Sequence, residues 1–342
     1  MKLLLSTAAV AVVVASCAQA QQRDTIQIAG SSTVLPFASI VAEEFGNAFP
    51  QFKTPVVASG GSSGGLKQFC AGVGPNTIDI ANSSRRIRKA EVEACNAAGV
   101  AKIQEVQIGY DGIVFAVAAS KSDFALKPVH VFKALAAQVA VDGKLVANPY
   151  KSWNEIDASL PNQPIFLAIP ASNHGTREVF QERVVAVGAK EAGLPEMSKE
   201  EMEKLVTTFR QDVVIEIAGD YTETLARLQS NADTVGVFGL SFYDQNRDKL
   251  KVATVNGITP SLETIASGEY PVSRPLYFYV KGEHVGVIPG ISEYVEFFLS
   301  EGMAGIGGTL ETAGMIPAPV EETAEVLAEY KAGKALTVAD VK

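Results

Sequence analysis

Three times along this chain an apolar strand passes through a turn of glycines and hydroxyl side chains into a helix with one apolar face. Thr25 to Ala29 alternates as a strand, GSSTVLP turns the chain, and Val34, Phe37, Val41 and Phe45 then recur at helical spacings. Pro36 suits the first turn of that helix, where its missing N–H costs nothing. TPVVAS, GGSSGG and a stripe of Leu66, Phe69, Cys70 and Val73 repeat the plan. A third copy runs from the strand Ile165 to Ile169, through Ser172 to Thr176, into a helix carrying Val179, Phe180 and Val184. Such a turn joins a strand to its own helix, so residues 59 to 65 are not a flexible linker between domains.

Each turn sets backbone N–H groups and hydroxyls at a helix N-terminus, where the macrodipole adds partial positive charge. That arrangement binds anions. Taken singly, each turn reads first as ordinary Ser or Thr capping; three such turns point further. Gly61-Ser62-Ser63-Gly64-Gly65 also matches the G-x-S-x-G nucleophile elbow, which would draw its acid and base from distant residues such as Asp220 and His284. A P-loop is excluded, because a leucine separates the last glycine from Lys67 and no Ser or Thr follows it.

The chain has 342 residues, 47% of them hydrophobic, which is enough for two compact lobes. Its first 20 residues place Lys2 before an apolar run and then small residues, the layout of a secretory signal peptide. Ala18-Gln19-Ala20 fits a cleavage site, and Val14-Ala15-Ser16-Cys17 fits a lipobox that would anchor the chain through Cys17. Beyond this leader only Cys70 and Cys95 remain, and an oxidising compartment favours their pairing as a disulfide. His130, His174 and His284 stand far apart, with no metal-ligand spacing, so neither a metal nor another cofactor is expected. A net charge of −9, from 38 acidic and 29 basic residues, argues against nucleic acid. It leaves a small anion open, because short-range donors act inside a screening length of about 8 Å.

GSSTVLP, GGSSGGLKQF, DIANSSRRI and HGTREVF, in this order, resemble the phosphate-binding subunit of bacterial ABC-type phosphate uptake systems. KSWNEI, VGVFGLSFYDQNRDKLK, PSLETIASGEYPVSRPLYFYVK and GMIPAP extend the resemblance over residues 25 to 335. It implies an α/β fold of the periplasmic binding-protein type, with two α/β lobes joined by two crossing strands and a ligand cleft between them. Residues 24–110 and 275–342 would form the first lobe, and 111–274 the second. It implies a periplasmic, monomeric, non-enzymatic protein whose partners are inorganic phosphate and a membrane ABC permease.

The matching motifs carry over Ser32, Thr33 and Val34 in the first turn, Ser62 in the second, and Gly175 and Thr176 in the second lobe. Three positions depart from a familiar branch of the family. Ser84 followed by Arg85 stands where that branch has an aspartate, Ile169-Pro170-Ala171 lacks its arginine, and His174 replaces the serine before the G-T pair. Arg85 or Arg177 is therefore expected to supply the positive charge, and His174 to donate a hydrogen bond or serve structure. Asp111, in IGYDGIVFAV at the expected crossing, is the candidate acceptor for a phosphate proton, the feature that would exclude sulfate. Two other readings compete: a binding protein for another oxyanion (sulfate, molybdate or a phosphonate), and a secreted serine hydrolase or phosphatase using Ser63 or His174.

Overall fold

The computed structural model describes residues 23–172, 176–218 and 221–341. Its strands in chain order are β1 (Gln27–Gly30), β2 (Val56–Ser59), β3 (Ile80–Ser83), β4 (Ile103–Ala118), β5 (Ala125–Leu126), β6 (Gln138–Val141), β7 (Lys144–Ala147), β8 (Phe166–Pro170), β9 (Val214–Ile217), β10 (Thr234–Gly239), β11 (Leu250–Val252), β12 (Thr254–Val255) and β13 (Ser273–Lys281). Nine of them make one sheet in the order β2, β1, β3, β13, β4, β10, β8, β9, with β11 on the end of β4. β1 runs parallel to β2 and β3, and β8 runs parallel to β9 and β10.

β4 belongs to both halves of this sheet. β13 pairs with it from Ile103 to Gly112, and β10 pairs with it from Ile113 to Ala116. The chain returns at the head of β13, where Ser273 lies opposite Gly112 and Arg274 opposite Asp111. Two α/β lobes are thus joined by two strands that cross side by side.

In the first half, strand periodicity sends alternate residues to opposite faces. Ile28, Ile80, Leu276, Phe278 and Val280 pack with Phe37, Val41 and Phe45 of α1 (Leu35–Ala48). Ala29, Ala81, Tyr277 and Tyr279 face the other way, onto Leu66 and Phe69 of α2 (Gly61–Phe69) and Val92 and Cys95 of α3 (Lys89–Ala97). Both faces are covered, as parallel strands require, and each buried Phe contributes about 1.5–3 kcal/mol. The second half is built on the unbroken buried run Ile113 to Val117, against which Val179, Phe180 and Val184 pack.

The expected helix stripes hold except at one residue. Val73 is 44% exposed, because α2 ends at Phe69 with Cys70 as its cap and the chain then turns through Gly72 at φ +126°. Cys70 and Cys95 form the expected disulfide, which ties the end of α2 to α3. Such a bond stabilises by about 2–4 kcal/mol. The glycines of the second turn serve close packing: a Cβ on Gly65 would stand 2.4 Å from Gly30 Cα, so α2 can start directly against the end of β1.

Candidate functional site

The first turn is organised by Ser31, whose buried Oγ accepts from the backbone N–H groups of Thr33 (3.2 Å) and Val34 (3.4 Å). With these two N–H groups engaged inside the turn, its hydroxyls, Ser32 and Thr33, are what it offers to other segments. In the second turn Ser62 Oγ lies 3.2 Å from Ser84 Oγ and accepts from Ser84 N–H at 3.1 Å, which joins this turn to the one after β3.

The register of β13 on β4 brings Arg274 beside Asp111 across 163 residues. Arg274 is 3% exposed and Asp111 5% exposed. The guanidinium donates to Asp111 Oδ2 through Nε and Nη2, each at 3.3 Å, and to Thr33 Oγ1 through Nη2 at 3.0 Å. Its Nη1 donates to Glu182 Oε2 at 2.9 Å, and Glu178 Oε2 lies 3.5 Å from Nη2. Thr33 Oγ1 in turn donates to Glu178 Oε2 at 2.5 Å, as Ser32 Oγ does at 3.4 Å. Three carboxylates thus surround one guanidinium and two hydroxyls.

Burial pushes the Asp111 carboxyl up to about 6; Arg274 opposes this, and Glu178 and Glu182 add to it. A carboxylate in this state ionises near neutral pH at a cost, and a ligand proton shared with it would lower that cost.

Thr33 and Asp111 line a cavity of about 470 Å³ with Thr176, Tyr221, Ser241 and Gly314. Thr33 of the first hydroxyl turn and Thr176 thus open onto one space. Arg274 reaches a second cavity of about 590 Å³, which it lines with Tyr110, Arg183 and Glu322. Tyr221 hydroxyl donates to Thr176 Oγ1 at 3.4 Å and its ring packs against Phe238 and Phe242, fixing the wall on the β10 side.

The two arginines expected to carry the charge are engaged elsewhere. Arg85 is clamped on Glu91 through both terminal nitrogens (2.9 and 2.7 Å), and Nη2 also donates to Ser63 Oγ at 2.9 Å. The same Glu91 caps α3 through Arg88 N–H, so this pair belongs to the start of that helix. Arg177 donates to Pro170 O and Glu216, both at 2.7 Å, and lies over the Phe209 ring. Glu178 and Glu182, the acids that follow Arg177 in sequence, turn to Arg274. His174, Gly175, Asp220 and the leader with Cys17 lie outside the described residues.

Arg274 is the residue that sequence reading passed over, although it stands in the quoted SRPLYFYVK. An arginine directly before the apolar run PLYFYV was the available signal.

The hydrolase reading fares poorly. His284 is buried, with Nδ1 2.6 Å from Asp79 Oδ1 and Nε2 3.0 Å from Val73 O, so both ring nitrogens are engaged away from Ser63. Among the described residues there is no group of His, Cys, Asp and Glu that could hold a metal, and no helix is long and apolar enough to cross a membrane.

A two-lobed α/β frame with a hydroxyl-bearing cavity beside its crossing strands is the kind of place where small ligands bind. The sequence profile described as a PBP superfamily domain matches residues 15–302, and the chain belongs to that superfamily. Protein SphX of Synechocystis sp. is 31% identical over 313 residues, covering 90% of this chain and 82% of that relative. The phosphate-binding protein PstS of Staphylococcus aureus is 28% identical over 308 residues, covering 89% and 81%. Among solved structures, a possible phosphate binding protein from Planctomyces limnophilus superposes with a TM-score of 0.69 at 25% identity, covering 91% of this chain and 98% of that one.

Proposed function

We propose that this chain is an exported binding protein that captures inorganic phosphate between its lobes and passes it to a membrane ABC permease. The observation that carries the reading is the meeting of Thr33, Asp111 and Arg274, from three distant segments, in one buried cluster. The names of the relatives, phosphate-binding protein PstS among them, favour phosphate as the anion. Arg274 takes the role expected of Arg85 or Arg177. Its planar fork suits two oxygens of a tetrahedral anion, with Ser32, Thr33 and Thr176 adding hydroxyls. His174 and Gly175 belong to the set through their motif alone.

Asp111 supplies the choice between anions. Phosphate near neutral pH keeps a proton that the carboxylate accepts; sulfate has none, and two anionic groups would then face each other unpaired. No bond of the ligand is broken in this reading, and no catalytic residue is assigned. The division into 24–110, 111–274 and 275–342 draws support from the change of partner on β4, which falls between Gly112 and Ile113, two residues past the first boundary. Residues 1–20 direct export to the periplasm, ending in cleavage or in a lipid on Cys17.

Titration calorimetry on phosphate-stripped protein, with sulfate as competitor, tests the proposal. One-to-one phosphate binding that sulfate does not displace is expected; silence toward phosphate, or displacement by sulfate, would transfer the site to another oxyanion.

A further inference from the structure

The donors just assigned to the anion already hold a carboxylate. Glu178 Oε2 accepts from Thr33 Oγ1 at 2.5 Å and from Ser32 Oγ at 3.4 Å, and it stands 3.5 Å from Arg274 Nη2. These contacts run from the segment that follows β8 to the turn that follows β1, a separation of 145 residues. Glu178 and Glu182 lie four apart on the helical segment 177–191, so both carboxylates reach the same guanidinium. The turn Gln181–Val185 within that segment is π-helical, an irregularity that recurs at functional sites. The Glu178 side chain is 39% exposed, whereas that of Arg274 is 3% exposed. The acid has room to swing out and the guanidinium does not.

We propose that the Glu178 carboxylate is a tethered stand-in for the ligand: it bridges the two lobes and competes with phosphate for Ser32, Thr33 and Arg274. The proposal rests on the phosphate reading above and adds a built-in competitor to it. Charge makes the exchange obligatory. Asp111, Glu178 and Glu182 place three carboxylates around one guanidinium, so a phosphate entering beside an unmoved Glu178 would meet net negative charge at its own donors. Glu178 leaves as the anion arrives, and it returns as the anion departs. Release to a partner is thereby assisted by a group of the protein itself, and affinity is held below what the same donors would otherwise give. Thr176, on the wall of the cavity, lies two residues from Glu178, so the exchange takes place beside a hydroxyl of that wall.

The test is calorimetric titration of inorganic phosphate into the wild-type protein, Glu178→Gln and Glu223→Gln, with small-angle X-ray scattering of each before phosphate is added. Glutamine keeps the size of the side chain and can still accept from Thr33, so the fold is retained. Removal of a charge-assisted competitor should tighten phosphate binding by about tenfold in Glu178→Gln. Glu223, exposed and paired with Arg227, serves as the control and should leave binding unchanged. Unchanged or weaker binding in Glu178→Gln would overturn the proposal; weaker binding would mark Glu178 as an acceptor of the ligand proton. If neither wild type nor Glu178→Gln binds phosphate, the assignment of the ligand fails and scattering decides the latch. A larger radius of gyration for Glu178→Gln than for wild type would then sustain it, and equal radii would reject it.

Discussion

Asp79 and Asp111 are both buried and both face an arginine, yet their surroundings differ in kind. Asp79 accepts from Arg23 at 2.6 Å, from Gln27 N–H at 2.7 Å, and lies 2.6 Å from His284 Nδ1. Its donors come from short, direct contacts that join the start of the described chain to the segment after β13. Asp111 has Arg274 at 3.3 Å, both contacts fall on Oδ2, and two further carboxylates share that arginine. A buried acid saturated with donors holds a structure together. One that is under-supplied, beside a cavity, is poised to take a ligand.

This contrast breaks first at Arg274. Arg274→Ala should weaken phosphate binding at least about a hundredfold, since two charge-assisted bonds to the anion, about 1.5–3 kcal/mol each, would be lost. Circular dichroism would confirm that the variant is folded, and calorimetry would read the loss. Asp79→Asn should do the opposite, lowering the stability seen in urea unfolding by about 3 kcal/mol while phosphate affinity stays at the wild-type value. A shared loss of affinity in both variants would erase the distinction between the two aspartates.

Asp111→Asn sharpens the comparison through pH. The folded state raises the Asp111 carboxyl from 3.8 to about 6. Its contribution to stability, relative to asparagine, is therefore fully present below about pH 4 and is lost as pH rises through 6. Stability of wild type minus that of Asp111→Asn should fall across this window by roughly 3 kcal/mol, measured by urea unfolding at pH 4, 6 and 8. At pH 7.5 the same variant should admit sulfate as a competitor. The smallest effect belongs to Arg85→Ala, which should shift phosphate affinity by less than about threefold, because Arg85 serves Glu91 and the start of α3.

Much of this arrangement is legible in the sequence, and the limits follow from chain separation. The stripe on α1 reads directly as a helix face because its contacts are local, and strand alternation likewise assigns Ile28 and Ala29 to opposite sides. The pairing of Cys70 with Cys95 follows from elimination and compartment. Asp111 could be picked out because the resemblance leaves Ser84 where an aspartate is usual and sets IGYDGIVFAV at a crossing between lobes. Its partner could not, since only the antiparallel register of β13 on β4 sets Arg274 opposite it. Arg85 and Arg177 drew attention because they adjoin the binding turns in sequence, but the nearby acids Glu91 and Glu216 capture them first. Val73 misled for a simpler reason: helical spacing continues on paper past the point where α2 has ended.

The most direct measurement is a crystal structure of the phosphate complex at neutral pH. The anion should be bonded to Thr33 Oγ1 and the Arg274 guanidinium, with one ligand oxygen within hydrogen-bond distance of Asp111 and Glu178 withdrawn from Thr33. Phosphate bound instead at Arg85 and Ser63, with the Thr33, Glu178 and Arg274 contacts intact, would contradict this assignment.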